Sequence, residues 1–169
     1  MAARVSLRDY QRELAERLRN AGSGHTALKL GLQVGDDGWL VDLTDAGEVL
    51  PVPAITPVPL TRAWFKGVTN IRGKLYSVVD FPAFLGGSAV TIGEQARLLL
   101  VGERFRTACA LLINRSLGLR NPEQLLLRAA DGARPPWIKA EYADKDGRLW
   151  KELDLPQLIQ DPDFLGVAS

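Results

Sequence analysis

Gly67, Gly73, Lys74 and Asp80 fall within "GVTNIRGKLYSVVDF", where a glycine, a Gly-Lys pair and a later carboxylate outline a phosphate cradle with a magnesium ligand. Such a loop needs four residues between its glycines, then Lys and a hydroxyl. It must also join a strand to a helix, whose backbone N–H groups receive the phosphate. Here five residues separate the glycines, and Leu75 follows Lys74. "LYSVVDF" carries the β-branched Val78 and Val79 and has no helical spacing, so it reads as a strand. Nucleotide chemistry fails on spacing, on residue type and on context.

The remaining reactive residues are scattered. The single histidine, His25, sits between Gly24 and Thr26, and without a second histidine or a cysteine cluster it cannot found a zinc site. The single cysteine, Cys109, lies in "TACALLI", where a thiol behaves as a small buried hydrophobe. Asp36, Asp37, Asp144 and Asp146 fall in turn sequences, which suits turn geometry and solvation. "DKDG" at 144–147 is too short for a calcium loop, and Asp161-Pro162-Asp163 reads as another turn. Asn114-Arg115-Ser116 fits a glycosylation pattern, but no apolar signal core precedes it. No cofactor and no metal follow from these residues, and the enzyme reading is weakened.

The elements that hold these residues are mostly strands. Residues 6–21 form an amphipathic helix, with Leu7, Tyr10, Leu14, Leu18 and Ala21 along one face. Ser6 and Asp9 supply a cap and Gly22-Ser23-Gly24 a stop. From Ala27 the period changes to two: Leu28, Leu30, Leu32 and Val34 alternate with polar or small residues. "WLVDL" at 39–43 completes a hairpin across a turn at 35–38, and "GEVLPV" at 47–52 follows. The four prolines of 51–60 mark extended chain, with Val52, Ile55, Val58 and Leu60 expected against the core. Thr61 is read as the cap of a single helical turn, "RAWFKG". Two strands, 96–102 and 107–113, form a hairpin across "ERFR", and 123–128 is a further strand. A last hairpin, 138–153, turns at Asp146-Gly147, and a short helix, 155–160, follows Asp154. Many short strands with few helices indicate a mainly β chain of small barrels or a sandwich.

Composition narrows the partners. The chain has 169 residues, 46% of them apolar, so it can bury a core. Twenty-one Lys and Arg stand against 20 Asp and Glu, a balance that supplies no field for nucleic acid or an anionic membrane. No run approaches the length of a membrane span, so direct membrane insertion is not expected and a cytoplasmic setting is.

With catalysis set aside, "WFKGVTNIRGKLYSVVDFPAFLG" at 64–86 resembles the signature of the CheW-like family, the coupling proteins of bacterial chemosensory arrays. Gly67, Val68, Asn70, Arg72, Gly73, Val79, Asp80, Leu85 and Gly86 carry the match, and the order of the other elements extends it over about residues 27–165. The N-terminal helix and the sequence 39–68 are most similar to the PilI branch, which serves type IV pili and twitching motility. The resemblance implies a fold of two SH3-like five-stranded β-barrels sharing a core, with an N-terminal helix and a short C-terminal helix. Residues 1–26 would be helix and linker, and 27–169 a single domain of two barrels. It implies no catalytic activity, so not an enzyme, and a cytoplasmic adaptor at membrane-bound receptor arrays. Its partners would be the regulatory domain of a CheA-like histidine kinase and the cytoplasmic tip of a methyl-accepting chemoreceptor. The alternative is a small-molecule-binding or enzymatic β-barrel protein with a pocket between the barrels.

The resemblance also assigns roles. It places an acidic partner for Arg72 at Glu48, and a partly buried fork between the two would clip their strands together, the alternative role of Arg72 being a direct receptor or kinase contact. Gly67 and Gly73 would shape turns, Asn70 would bond its own turn, and Asp80 would organise backbone at a strand end. Ala46, Val49, Lys66 and Gly67 are the candidate receptor or kinase interface. Trp64, Phe65, Phe81 and Phe84 are read as core.

Overall fold

The structure, a computed structural model, describes residues 28–169 and Gln11. His25 and, apart from Gln11, the helix read at 6–21 with its cap and stop lie outside the described residues. The described residues form two sheets. One holds β1 (Lys29–Val34), β2 (Asp37–Asp42), β8 (Arg115–Arg120), β9 (Leu126–Arg128), β10 (Ile138–Ala143) and β11 (Leu149–Leu153), in the order β8-β1-β2-β11-β10-β9. The other holds β3 (Ala46–Pro51), β4 (Phe65–Ile71), β5 (Lys74–Asp80), β6 (Arg97–Val101) and β7 (Cys109–Ile113), in the order β3-β6-β7-β5-β4. The five-stranded sheet is thus one continuous stretch of chain set between β2 and β8 of the other. Among the described residues, short helices α1 (Phe81–Phe84), α2 (Leu155–Leu158) and α3 (Pro162–Leu165) and two 3-10 turns link or follow the strands.

The five-stranded sheet closes on itself. The chain leaving β3 crosses to β4, where Thr56 and Val68 exchange two backbone hydrogen bonds of 2.8 and 2.9 Å. Thr69, itself buried, donates to the carbonyl of Ala54 at 2.7 Å on the same crossing. The proline-rich stretch therefore supplies the barrel's last edge, where the missing N–H groups of Pro53 and Pro57 cost no ladder bond.

One apolar cluster joins the sheets: Leu32, Val34, Trp39 and Val41 from one, Val79, Leu99, Leu111 and Ile113 from the other, with Phe81 and Trp137. A second cluster, with Tyr76, Val78, Leu98, Leu100 and Leu112, fills the five-stranded barrel. Strands β6 and β7 are buried on both faces for this reason, and their sequences read as unbroken apolar runs. Fully burying one such side chain is worth about 1.5–3 kcal/mol, so the shared cluster outweighs any single ion pair in joining the barrels.

Several expectations need correction. Thr61 caps no helical turn; Phe65 to Ile71 is strand, because Val68 and the residues flanking it pair with β5. Of the apolar residues among the prolines, Val52 and Ile55 pack on the barrel core, but Val58 and Leu60 are exposed. Leu60 sits at φ 58°, and its carbonyl accepts the N–H of Ser169, which points its side chain outward. The strand read at 123–128 is shorter, since only Leu126–Arg128 is strand and Pro122–Gln124 is a 3-10 turn, and Asp161 caps α3 rather than closing a simple turn. Strand β8 was missed, although Leu117 and Leu119 alternate in its sequence. With β8 added, its sheet has six strands rather than five.

Candidate functional site

The motif hairpin is built on a two-residue turn. Ile71 pairs with Lys74, and Arg72 and Gly73 between them hold φ of 51° and 82°. Two successive positive φ values give the turn whose twist matches a hairpin, and the first position normally takes Asn or Gly. Arg72 occupies it instead. Asn70 accepts the N–H of Gly73 through Oδ1 at 2.9 Å and so braces the turn.

From that turn the Arg72 guanidinium reaches β3. Nη1 and Nη2 each donate to a carboxylate oxygen of Glu48, the former at 3.3 Å. Glu48 stands where the register of β3 against β6 shifts, between Ala46 and Val49. Its carboxylate is held below the usual range by the hydrogen bond from Arg72, and the guanidinium is raised by the same bond. Both side chains are exposed, at 69% for Arg72 and 46% for Glu48. The fork joins β3 to the β4–β5 turn, but on the surface, not in the partly buried setting read from the sequence. Salt and solvent screen a pair of this kind.

Asp80 is the buried member of the motif, with no exposed side-chain surface. It caps α1 by accepting from Ala83 at 3.1 Å, and its other oxygen accepts from Val90 at 2.8 Å. Lys66 Nζ stands 3.9 Å from it. One carboxylate thus ties together the end of β5, the first turn of α1 and the loop at Val90.

Gly67 is buried at φ 128°, and an added Cβ would lie 2.0 Å from the carbonyl oxygen of Thr56. Its missing side chain is what admits the Thr56–Pro57 crossing. Gly73, by contrast, has open space around it. Ala46 and Val49 are half-buried against the shared core. Lys66, close to Asp80, is partly exposed. Phe81 is fully buried, and Trp64, Phe65 and Phe84 pack on the core's margin, with Trp64 and Phe84 5.2 Å apart edge to face.

Other charged groups serve the fold. Lys29 lies 3.0 Å from Glu152 and 3.6 Å from Asp42. Burial lowers the Lys29 pKa, but the hydrogen bond and charge of Glu152, with Asp42, more than offset it and the net shift is upward. Buried Asp45 pairs with Arg104. Asp144 accepts from Trp150 Nε1 and from the N–H groups of Asp146 and Arg148, and these bonds, Trp150 foremost, hold its carboxyl low. Asn114 Oδ1 accepts the N–H of Gly35 at 2.7 Å and secures the β1–β2 turn. Burial pushes the Cys109 thiol up to about 12.

A cleft of about 940 Å³ opens between the β1–β2 turn and the loop after α1. Its charged lining comprises Asp36, Asp37, Glu94, Arg115 and Lys151, and Lys151 is already paired with Asp37 at 3.1 Å. Among the described residues no group of three His, Cys, Asp or Glu is placed to hold a metal. No described helix is long and apolar enough to cross a membrane.

Comparison with known proteins agrees with the motif. The family model described as the CheW-like domain matches residues 30–163. The chain is 30% identical to Protein PilI of Pseudomonas aeruginosa over 145 residues, 82% of this chain and 79% of that protein. It is 26% identical to the chemotaxis protein CheW of Thermotoga maritima, over 78% of this chain and 87% of that one. Its fold is similar to that of the scaffolding protein TtCheW from Thermoanaerobacter tengcongensis, with a TM-score of 0.62 at 16% identity, covering 76% of this chain and 88% of the other.

Proposed function

The chain belongs to the CheW-like family, and from that membership we propose that it is a non-catalytic adaptor coupling a chemoreceptor to a CheA-like histidine kinase. One partner is the cytoplasmic tip of a methyl-accepting receptor, and the other is the kinase's regulatory domain. The setting is the cytoplasmic face of membrane-bound receptor arrays. The output is control of type IV pili and twitching motility, a reading supported by the similarity to PilI over most of both chains. Residues 27–169 act as one unit of two barrels, with 1–26 appended to it.

The observation that carries the reading is Arg72. It spends a left-handed turn position, which Gly or Asn would fill more cheaply, to hold a guanidinium at the surface against Glu48. That expense makes sense if β3 and the motif turn must present a fixed outer surface to a partner. We place that surface beside the clip, with Ala46, Val49 and Lys66 in it and Gly67 shaping it from below.

The test is reconstitution with purified components: the full chain, a receptor cytoplasmic fragment and the kinase. The chain should bind each partner, and kinase autophosphorylation should become receptor-dependent only when it is present. Failure to bind either partner, with kinase output unchanged, would overturn the adaptor reading.

A further inference from the structure

A rigid arm stands on the surface just before β4. Residues 57–60, "PVPL", are all exposed, and Leu60 is 84% exposed. Pro57 and Pro59 fix their own backbone. Thr61 Oγ1 donates to the carbonyl of Val58 at 2.8 Å, and the N–H of Ser169 donates to that of Leu60 at 3.1 Å. The carbonyls of Pro57 and Pro59 accept no hydrogen bond among the described residues. Leu60 sits in the left-handed region at φ 58°, where Asn or Gly would be less strained, and its side chain joins neither apolar cluster. The fold therefore holds an apolar knob out into solvent at some cost.

Beside the arm lies a hollow of about 530 Å³, walled by Trp64, Phe84 and Trp137. Arg62 lines it, and its N–H donates to Val167, so arm, hollow and C-terminal tail adjoin on one face. Trp39 also lines the hollow, and its Nε1 is buried without an acceptor among the described residues, although an indole N–H usually finds one. Three charges stand at the hollow's edge with no opposite partner. Arg62 Nε donates to the carbonyl of Gly166 at 2.8 Å, and Asp161 accepts the N–H groups of Asp163 and Phe164. Neither Arg62, Asp161 nor Asp163 forms an ion pair among the described residues, although all three line the same space.

We propose that two copies of this chain pair about a two-fold axis on this face, each laying its proline arm into the other's aromatic hollow, with Arg62 against the partner's Asp163. A knob and a hole side by side on one surface are what a two-fold contact closes, since each copy offers the same pair. Proline suits the aromatic walls because it brings ring carbon and no N–H to strand, and its free carbonyls reach a hollow that lacks an acceptor for Trp39. The arm is already fixed, so little order is lost on docking. The charges left unpaired within one copy become complementary across the axis. This does not depend on the adaptor reading, since it rests on the arm, the hollow and the charges alone.

The test is sedimentation velocity of the full chain from micromolar to near-millimolar concentration, where a monomer–dimer equilibrium is expected. Leu60→Asn removes the knob but suits the left-handed backbone, so the chain should fold while its dimer dissociation constant rises on the order of tenfold or more. Arg62→Glu and Asp163→Arg should each weaken the dimer. An equimolar mixture of those two variants should recover it, because opposite charges then meet at both contacts. A chain that stays monomeric throughout would overturn the proposal. So would a dimer that Leu60→Asn leaves untouched, assembly beyond two copies, or a mixture no better than either charge variant alone. A second experiment mixes Leu60→Cys chains with Leu85→Cys chains and a short bifunctional thiol reagent. Leu85 lines the hollow, and the native thiol of Cys109 is buried and does not compete at neutral pH. A cross-link joining the two kinds of chain supports the pairing, and its absence overturns it.

Discussion

Replacing Gly67 with alanine tests how the motif is tied to the barrel. The new Cβ would sit 2.0 Å from the carbonyl oxygen of Thr56, 2.7 Å from its carbon and 2.9 Å from Pro57 Cα. All three are backbone atoms, so no side chain can swing aside. The crossing must move and release the two hydrogen bonds between Thr56 and Val68. Their loss costs about 1–3 kcal/mol together. Alanine at φ 128° adds roughly 1–3 kcal/mol of backbone strain. The sum, about 2–6 kcal/mol, is a large part of a total stability of about 5–15 kcal/mol. Gly73→Ala is the control, because its φ of 82° is also left-handed but nothing lies within 4 Å. It should cost only the backbone part, about 1–2 kcal/mol. Urea unfolding followed by tryptophan fluorescence reads both, and at an m-value of about 2 kcal/mol/M the Gly67 midpoint should fall by about 1–3 M. If Gly67→Ala costs no more than Gly73→Ala, the steric argument and the closing role of the Thr56 crossing are both wrong.

Three further outcomes are expected. Asp80→Ala strands the N–H groups of Ala83 and Val90, each now bonded to a buried carboxylate, and should lower stability by about 3–6 kcal/mol. Asp80→Asn should fall between it and the native chain in the same urea assay, and equal midpoints for all three would refute the role. Arg72→Glu should leave the melting temperature close to native, since the pair is exposed, yet weaken receptor–kinase coupling; adding Glu48→Arg should restore part of the coupling. Loss of coupling with no rescue would show that the two residues act separately. The third concerns alkali. The fold raises the Cys109 thiol from 9.0 to about 12, so its neutral form is favoured in the folded chain. That stability is complete below pH 9 and is lost as pH rises through 12. Cys109→Ala should flatten this limb in pH-dependent urea melts, and an unchanged slope would exclude the thiol as its source.

What could be read in the sequence follows a physical line. Strands with one buried face announced themselves through period two, as Leu28 to Val34 did, and strands buried on both faces through unbroken apolar runs, as in "CALLI". β4 did not, because Trp64 and Phe65 precede a glycine whose positive φ interrupts the register at Gly67. β8 is almost wholly exposed apart from Leu117, so little hydrophobic contrast marks it. At the site, the local bond from Asn70 to its own turn was legible because it spans three residues. The Asp80 bond to Val90 and the Thr69–Ala54 bond were not specified by local pattern, since they depend on where loops return in space. The burial of the Arg72–Glu48 pair was misjudged for the same reason. The family resemblance pairs the two, but solvent access is set by how the strands and turn that carry them pack in space.

Exposure also bears on what that pair contributes to the fold. A fork buried between two barrels would be explained by stability alone, because losing one partner would strand a charge. With Arg72 at 69% and Glu48 at 46% exposed, solvent and salt screen the interaction, and the fold does not depend on it. The turn still carries a non-glycine residue at φ 51°, a conformation that costs rather than gains free energy. The fold proper is held by the shared apolar cluster, by Asp80 and by the Thr56 crossing, all of which are buried. Under the proposed adaptor function, a strained, exposed and bidentate pair would serve to fix the outer surface of β3. Salt dependence separates this from a stabilising role: raising ionic strength should weaken partner binding at this surface while leaving the urea midpoint nearly unmoved. A midpoint that falls in step with binding would return the pair to the fold.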